Sequence, residues 1–284
     1  MEDCSRHAQY RSEAVNLLAA LLLFMSQDIL QLPLPPQGER IAYGSDPLQF
    51  GELRVPEGPG PHPVVIVIHG GFWRAAYNLD HISHLCVALN KAGIATWSLE
   101  YRRIGNPGGG WRGTFDDVAA GSDHLKTLAA KYKLDLNHVA VIGHSAGGQL
   151  ALWLAGRKGF SNPIALKGVL SLAGVADLRQ GYDLKLSNTV VGEFMGGSPD
   201  AVPDRYNYGS PVELLPLHVP QRLIHGTLDT NVPFAISKDY VAKAKAKGDN
   251  AELITLEGAR HFELIDPRAR EFETVLKTLR DLLK

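Results

Sequence analysis

The chain has 284 residues, of which 45% are hydrophobic and 21% are charged, and its formal net charge is −1. This length suits one large α/β domain or two small ones. The near-neutral charge excludes the basic field on which a nucleic-acid partner would depend. The two cysteines, Cys4 and Cys86, make neither a metal-ligand spacing nor a disulfide framework. We therefore expect no metal site, no nucleic-acid partner and a reducing compartment, the cytoplasm.

Residues 1–38 precede the regular pattern of the chain and are expected to form an N-terminal extension or helix. The apolar stretch Ala14–Met25, AVNLLAALLLFM, is too short to span a bilayer, so we expect no stable membrane insertion. Arg6 and Arg11 precede it as in a signal peptide, but acidic residues offset their charge and no small-residue cleavage site follows. Three interpretations stay open: a helix laid on the domain, an extension that the fold does not need, and a weak signal for secretion.

Strand-like and helix-like segments alternate from residue 39 to residue 284. The predicted strands, in chain order, are ERIAYG, PLQFGELRVP, VVIVIH, IATWSLEY, HVAVIG, LKGVLSLAG, QRLIHG and AELITLE. The predicted helices are Leu79–Ala92, Thr114–Lys131, Ala146–Arg157, Pro233–Lys247 and Pro267–Leu283. This alternation predicts one α/β domain with a mainly parallel central sheet and helices on both faces. Ligands of such sheets bind beyond the carboxyl ends of the strands.

The segment GHSAGG places a serine directly after a predicted strand and directly before a predicted helix. In this setting Gly143-His144-Ser145-Ala146-Gly147 is typical of a nucleophile elbow. The glycines let the strand and the helix approach closely, and the helix N-terminus supplies backbone N–H groups. Ser145 is therefore the predicted nucleophile. The alternative is a serine that only caps a glycine-rich helix start.

A serine nucleophile needs a general base and a carboxylate that orients the base. His261 follows the last predicted strand and precedes the last predicted helix, and we expect it to be the base. Asp229 lies in the turn HGTLDTNVP after the preceding strand and is the predicted acid, with Asp177 as its competitor. The order nucleophile, acid, base is that of one large class of such triads. His225, at the end of its strand, is expected to be structural.

The stretch VVIVIHGGFWR ends a buried strand with two glycines and two large aromatic residues. A tetrahedral intermediate carries negative charge on the substrate oxygen, and preorganised N–H donors must face that charge. We expect the N–H groups of Gly71, Phe72 and Ala146 to form this oxyanion hole. His69 is expected to hydrogen-bond the loop and hold its shape.

The long irregular segment 175–218 is expected to form a small cap or lid, because long connections in compact domains are often functional. Its aromatic residues Phe194 and Tyr206, together with Trp73 and His144, are the candidate residues of a substrate pocket. Two alternatives stay open. The segment 175–218 would pack around an irregular crossover instead of forming a cap, and Trp73 would pack under its loop instead of lining a pocket.

From about Arg40 to its end the chain resembles an α/β-hydrolase. HGGFW and GHSAGG resemble the esterase and kynurenine formamidase branch, which is related to hormone-sensitive-lipase-type esterases. That type usually has a third glycine where this chain has Phe72, and an aspartate where it has His144. Both differences favour the formamidase-like group, although the turn GTLDTNVP is also similar to that of small carboxylesterases and oligopeptidase-type domains. The resemblance implies hydrolysis of an ester or amide through an acyl-enzyme, without a cofactor.

Several functions are compatible with these residues. A carboxylesterase for small or aromatic acyl esters is predicted, with an arylformamidase or other amidase using the same triad as the alternative. A peptidase would lack the propeller domain that oligopeptidases usually carry. A non-catalytic binding protein would leave the filled triad and loop unexplained. The expected partner is a small-molecule ester or amide, and a homodimer is left open.

Overall fold

The structure is a computed structural model that describes residues 28–284. One sheet of eight strands lies at the centre of this part of the chain. The strands are β1 (Glu39–Ala42), β2 (Phe50–Arg54), β3 (His62–Ile68), β4 (Ala95–Leu99), β5 (Leu134–His144), β6 (Gly168–Leu172), β7 (Gln221–Gly226) and β8 (Ala251–Leu256). Their spatial order is β1-β2-β4-β3-β5-β6-β7-β8. The β1–β2 and β2–β4 pairs are antiparallel and the other neighbouring pairs are parallel. The predicted mainly parallel α/β sheet is confirmed.

The centre of the sheet is built from β-branched residues. β3 reads HPVVIVI, and Val64 to Ile68 are completely buried. Such side chains fit the pleated surface, and a strand covered on both faces has no polar alternation. The core of the domain therefore lies on both sides of β3 and its neighbours, and their carboxyl ends form one edge.

Eight helices connect or flank these strands within the described residues. They are α1 (Ser83–Lys91), α2 (Gly113–Tyr132), α3 (Ala146–Gly156), α4 (Leu178–Asp183), α5 (Leu186–Met195), α6 (Pro203–Gly209), α7 (Phe234–Ala246) and α8 (Glu271–Leu282). The chain moves from β3 out to β4 through α1 and back across to β5 through α2, so right-handed connections place these two helices on opposite faces. Contacts agree with this placement. The Phe115 ring of α2 lies 4.8 Å from the Trp153 ring of α3, whereas Arg280 of α8 donates to the carbonyl of Ala92, which caps α1.

The segment 175–218 is more regular than its sequence predicts. It contains α4, α5, α6 and a short 3-10 turn at Pro211–Leu214. The prediction of an irregular segment is wrong because helices this short carry too few turns to show an amphipathic period. Left-handed backbone at Lys185, Asn188 and Thr189 further interrupts the pattern.

Three element boundaries also differ from the prediction. Leu79–Ile82 is a 3-10 turn that leads into α1, so the predicted helix divides in two. β5 begins at Leu134 and α8 begins only at Glu271. Element ends depend on single caps and turns, which the hydrophobic pattern does not encode.

The N-terminal stretch Ala14–Met25, for which three interpretations were left open, lies outside the described residues. The chain divides into the units Met1–Pro33 and Leu34–Lys284. Of the first unit only residues 28–33 are described, with a 3-10 turn at Ile29–Gln31. Across residues 28–284, no helix has the length and apolar character needed to cross a membrane.

Candidate active site

Ser145 occupies a sharp turn between β5 and α3. Its backbone angles are φ 57° and ψ −120°, a strained conformation for a residue with a side chain. A side chain at Gly143 would collide with the carbonyl of Gly147, and one at Gly147 would collide with the carbonyl of Ile68. The two glycines are thus required by the close approach of strand and helix, and the turn has the geometry of a nucleophile elbow.

The loop after β3 packs directly against this turn. A methyl group at Gly70 would lie 3.1 Å from Ser145 Cβ and 2.9 Å from the carbonyl oxygen of His144. Gly71 (φ 103°) and Phe72 (φ 50°) then have left-handed backbone. This conformation turns the loop back over the carboxyl end of the sheet, beside the serine.

Three backbone N–H groups at this point have no protein acceptor. Those of Gly71, Phe72 and Ala146 make no hydrogen bond to another group within residues 28–284. Two of them belong to the loop after β3, and the third begins α3 next to Ser145. Buried N–H groups are normally paired, so three unpaired donors next to a serine are suited to a developing negative charge.

A buried polar cluster holds the loop after β3. His69 Nδ1 donates to the carbonyl of Gly70 at 2.8 Å, which confirms the predicted role of this histidine in the loop. Its ring stacks on Tyr101 at 4.4 Å, and the Tyr101 hydroxyl donates to the His69 carbonyl at 2.8 Å. Burial, and next to it the charge of Arg103, lowers the pKa of His69 to about 3. His69 is therefore neutral and accepts a hydrogen bond from Arg103 at Nε2, which lies 3.1 Å from the guanidinium.

Asp229 and His261 meet at the same edge. His261 Nδ1 donates to Asp229 Oδ2 at 2.7 Å, and Asp229 Oδ1 accepts the backbone N–H groups of Asn231 and Val232 at 2.8 and 2.9 Å. His225 Nε2 lies 3.2 Å from the same Oδ2, a contact that the sequence did not predict. Burial by itself raises the pKa of Asp229, but the hydrogen bonds from His225 and His261 outweigh it, and the pKa is well below its usual value. Asp229 is thus an ionised carboxylate that accepts hydrogen bonds from two imidazoles, those of His225 and His261.

His261 contacts His144, the residue that precedes Ser145 in the turn. The His144 and His261 ring centroids are 4.4 Å apart, and His144 Nε2 is 3.0 Å from the His261 carbonyl oxygen. Within the described residues the Ser145 hydroxyl and the His261 imidazole do not share a hydrogen bond. Hydrogen bonds of this kind are often loose without substrate and tighten in the reacting complex.

Asp177, the competing acid, has a different role. Its carboxylate caps α4 by accepting the N–H groups of Arg179 and Gln180, both at 3.1 Å. It also lies 3.0 Å from the ammonium group of Lys243. These contacts account for Asp177 as a helix cap in an ion pair, and none of them involves His261.

The four candidate pocket residues, Trp73, His144, Phe194 and Tyr206, are completely buried. The Trp73 ring stacks on Phe194 at 4.5 Å, and its Nε1 donates to Gln149 at 3.0 Å. Trp73 therefore packs under its loop, which was the alternative, and Phe194 packs against it, so core packing replaces the expected open aromatic wall. Each of the four side chains has a ring or hydrogen-bond partner in the protein interior, and these contacts account for its burial.

Three exposed apolar side chains lie in connections that follow β3, β6 and β7, and none of them was predicted from the sequence. They are Tyr77, Leu184 and Leu228, with exposed fractions of 43%, 48% and 58%. Tyr77 packs beside Gly71, and Leu228 precedes Asp229. Tyr77 lies in the loop after β3, Leu184 lies between α4 and α5, and Leu228 lies two residues after β7, and the sequence pattern did not show that they are exposed.

Residues 28–284 contain no group of three or more His, Cys, Asp or Glu side chains able to hold a metal ion. Cys86 is a free, buried thiol whose pKa is raised to about 11 by burial. The chemistry that these residues can perform is that of a serine, an imidazole, a carboxylate and three N–H donors.

Comparison with known proteins places this geometry in a family. The BD-FAE family model matches residues 53–244. A probable isoprenylcysteine alpha-carbonyl methylesterase of Oryza sativa subsp. japonica is 26% identical over 246 residues, which cover 79% of this chain and 58% of that protein. A kynurenine formamidase of Meyerozyma guilliermondii is 32% identical over 145 residues, which cover 49% of this chain and 52% of that protein. The chain thus spans about half the length of these relatives.

Solved structures show the same fold. A thermophilic esterase from the Planctomycetes species Thermogutta terrifontis superposes with a TM-score of 0.71 at 21% identity, over 88% of this chain and 95% of that chain. At this level of identity the likeness establishes the α/β-hydrolase fold and leaves the chemistry to the site itself.

Proposed function

The chain belongs to the BD-FAE family of α/β-hydrolases, and from this premise we propose that it is a serine hydrolase that cleaves carboxylic esters. Ser145 is the nucleophile, His261 the general base and Asp229 the carboxylate that orients it. The single observation that carries the proposal is the position of Ser145. It lies in a strained strand-to-helix turn, against a loop in which the N–H groups of Gly71 and Phe72 have no acceptor among residues 28–284. The 2.7 Å contact between Asp229 and His261 supports it.

The mechanism follows from these positions. His261 Nε2 takes the proton of the Ser145 hydroxyl while Oγ attacks the ester carbonyl carbon, and the carbonyl π electrons move to the oxygen. The N–H groups of Gly71, Phe72 and Ala146 donate to this oxyanion. The intermediate collapses, the alcohol leaves with the proton from His261, and an acyl-enzyme remains. Water then repeats the two steps, with His261 again as base, and releases the carboxylic acid.

Asp229 contributes by keeping the imidazole in one tautomer. Because Asp229 Oδ2 accepts the Nδ1 hydrogen of His261, the lone pair of that ring is on Nε2, where the base must act. The ionised carboxylate also stabilises the imidazolium that forms during each step.

A panel of p-nitrophenyl esters from acetate to palmitate tests the proposal. We expect steady release of p-nitrophenol, preceded by a burst for those esters whose acyl-enzyme is hydrolysed more slowly than it forms. Methyl esters belong in the panel because the Oryza relative is named a methylesterase. A purified protein that turns over none of these esters, and shows no burst, would overturn the proposal.

Arylformamidase activity is the second candidate function. It is favoured by the 32% identity with a protein named kynurenine formamidase over 145 residues. The same triad would attack the formyl carbon and release an amine in place of an alcohol. N-formylkynurenine, measured beside p-nitrophenyl acetate, separates the two. If kcat/KM for N-formylkynurenine exceeds kcat/KM for every ester, arylformamidase activity is the function.

The remaining expectations stay predictions. They are the domain boundary after residue 38, the cap role of residues 175–218, a cytoplasmic location and a homodimer.

A further inference from the structure

His144 and His81 form a hydrogen-bonded pair beside the proposed base. His144 precedes Ser145 and is completely buried, and His81 is 8% exposed. The distance from His81 Nε2 to His144 Nδ1 is 2.8 Å, and from His144 Nε2 to the carbonyl oxygen of His261 it is 3.0 Å. Both ring nitrogens of His144 therefore have protein partners, which excludes the substrate-pocket role that its sequence position suggested.

The carbonyl oxygen of His261, at the end of the pair, fixes the tautomers of both His144 and His81. A carbonyl oxygen can only accept, so Nε2 of His144 carries the hydrogen. A neutral ring then accepts at Nδ1, so His81 must donate from Nε2. His81 Nδ1 is left as a buried acceptor without a partner among residues 28–284. Hydrogen bonds therefore run in one direction, from His81 through His144 to the His261 carbonyl.

Burial keeps both rings neutral, as this arrangement requires. Burial, followed by the nearby His69 and His261, lowers the pKa of His81 to about 3. Burial, and then the proximity of His261 and His81, lowers the pKa of His144 well below its usual value.

The pair also lies against the serine turn and the loop after β3. His144 is covalently joined to Ser145, and a methyl group at Gly70 would lie 2.9 Å from His81 Nε2. The Phe262 ring covers the pair, at 5.9 Å from the His144 ring and 6.1 Å from the His81 ring. His261 itself follows β8 in a loop, before the 3-10 turn Phe262–Ile265, so no strand ladder holds its carbonyl.

We propose that His144 and His81 are positioning residues that hold the backbone of the catalytic base in register with the nucleophile. This proposal rests on the proposed function. Asp229 fixes the side chain of His261, and the His144 donor fixes its main chain. Because the same His144 is the neighbour of Ser145, one side chain ties the base to the nucleophile. Loss of the donor lets the His261 loop shift, and small displacements of this kind slow a reaction without weakening substrate binding.

Paired substitutions test the proposal. His144→Leu removes the donor, whereas the amide nitrogen of His144→Gln can still donate to the His261 carbonyl. We expect His144→Leu to lower kcat for p-nitrophenyl acetate by ~10–10²-fold with KM unchanged, and His144→Gln to recover most of this loss. His81→Leu should lower kcat less, because it acts through His144. His138→Gln is the matched control, since His138 is a partly exposed histidine paired with Asp135, and it should leave kcat unchanged.

A spectroscopic measurement separates positioning from a merely structural role. Long-range ¹H–¹⁵N spectra of ¹⁵N-histidine-labelled wild-type protein report the tautomer of each ring, and His81→Gln and His144→Gln assign the two signals. We expect both residues to be neutral with the hydrogen on Nε2 at pH 6. A hydrogen on Nδ1 of His144, or a charged ring, would overturn the proposal even if the Leu variants fail to fold.

The kinetic outcomes are equally decisive. Wild-type kcat in folded His144→Leu, or equal losses in the Leu and Gln variants, would refute the donor role. Failure of the proposed function would look different. Wild-type protein would then show no Ser145-dependent turnover, while the tautomers could still be read from the spectra.

Discussion

At the scale of the residue, Ser145→Ala separates chemistry from folding. The Ser145 hydroxyl contributes no hydrogen bond to the fold within the described residues, so its removal leaves packing and backbone unchanged. We expect turnover of p-nitrophenyl acetate to fall to the level that binding and the N–H donors alone provide, about 10³–10⁴-fold over water. The melting temperature should match that of the wild type. Near-wild-type turnover by the variant would show that another nucleophile acts.

The two candidate carboxylates can be distinguished by matched substitutions. Asp229→Asn keeps the shape of the side chain but allows the wrong tautomer of His261, and we expect turnover to fall by about 10⁴-fold. Asp177→Asn weakens the cap of α4 and the ion pair with Lys243. It should lower the free energy of unfolding by ~1 kcal/mol or less and leave turnover intact. Kinetic loss in the Asp177 variant alone would reverse the assignment.

Individual residues differ in how far the sequence could place them. Asp229 and His261 were expected to meet because each follows a late strand, and their contact is present in the structure. His144 was expected in the substrate pocket, but its ring turns inward to His81. A contact between residues so far apart in the chain depends on which strands are neighbours, and no local pattern records it.

At the scale of the element, the loop after β3 offers a test of its backbone geometry. Gly71 has φ 103°, and a side chain there would collide with Tyr77. Gly71→Ala should therefore destabilise the protein by ~1–3 kcal/mol and displace an N–H donor, with a loss of about 10²–10³-fold in kcat. Gly58→Ala is the matched control, because Gly58 has φ 112° with no atom within 4 Å of an added methyl group.

The comparison of these two glycines isolates the contribution of the site. Gly58→Ala should show only the backbone strain of about 1–2 kcal/mol, measured by denaturant unfolding, and full activity. If both variants lose stability equally and both keep wild-type kcat, then the loop after β3 does not hold an oxyanion donor in a fixed position.

The sequence predicted long elements better than short ones. β3 and α3 carry continuous apolar patterns, and the structure has both where they were expected. The helices of 175–218 were missed because each is brief and α5 includes left-handed residues. Their positions are decided by packing, such as the stacking of Phe194 of α5 on Trp73, rather than by propensity.

At the scale of the whole molecule, strand and helix alternation predicted the α/β fold but not the order of the strands. β4 lies outside β3 because the chain first moves away from the centre and then crosses back to β5. The right-handedness of crossovers limits such arrangements without choosing among them. The reversal at β3 brings the carboxyl ends of β3 and β5 together, and with them the glycine loop and Ser145.

The buried histidines make the stability of the molecule dependent on pH. His69 and His81 each have a folded pKa of about 3, and the pKa of His144 is also lowered, in each case mainly by burial. Unfolded histidine has a pKa of about 6.5. Below that value the unfolded chain binds protons that the folded protein does not, so the free energy of unfolding falls as the pH falls. The loss begins near pH 6.5 and continues towards pH 3.

We therefore expect chemical denaturation to show that the free energy of unfolding falls by about 2 kcal/mol for each of His69 and His81 between pH 7 and pH 5, with a further loss from His144. The double variant His81→Gln/His144→Gln removes two of these groups and should flatten this dependence. Wild-type protein with the same free energy of unfolding at pH 7 and pH 5 would contradict the expectation. Carboxylates titrate mainly below this pH window, so the slope of the free energy of unfolding with pH belongs to the histidines. The decrease of this slope in the double variant measures the contribution of His81 and His144, which lie beside the proposed base.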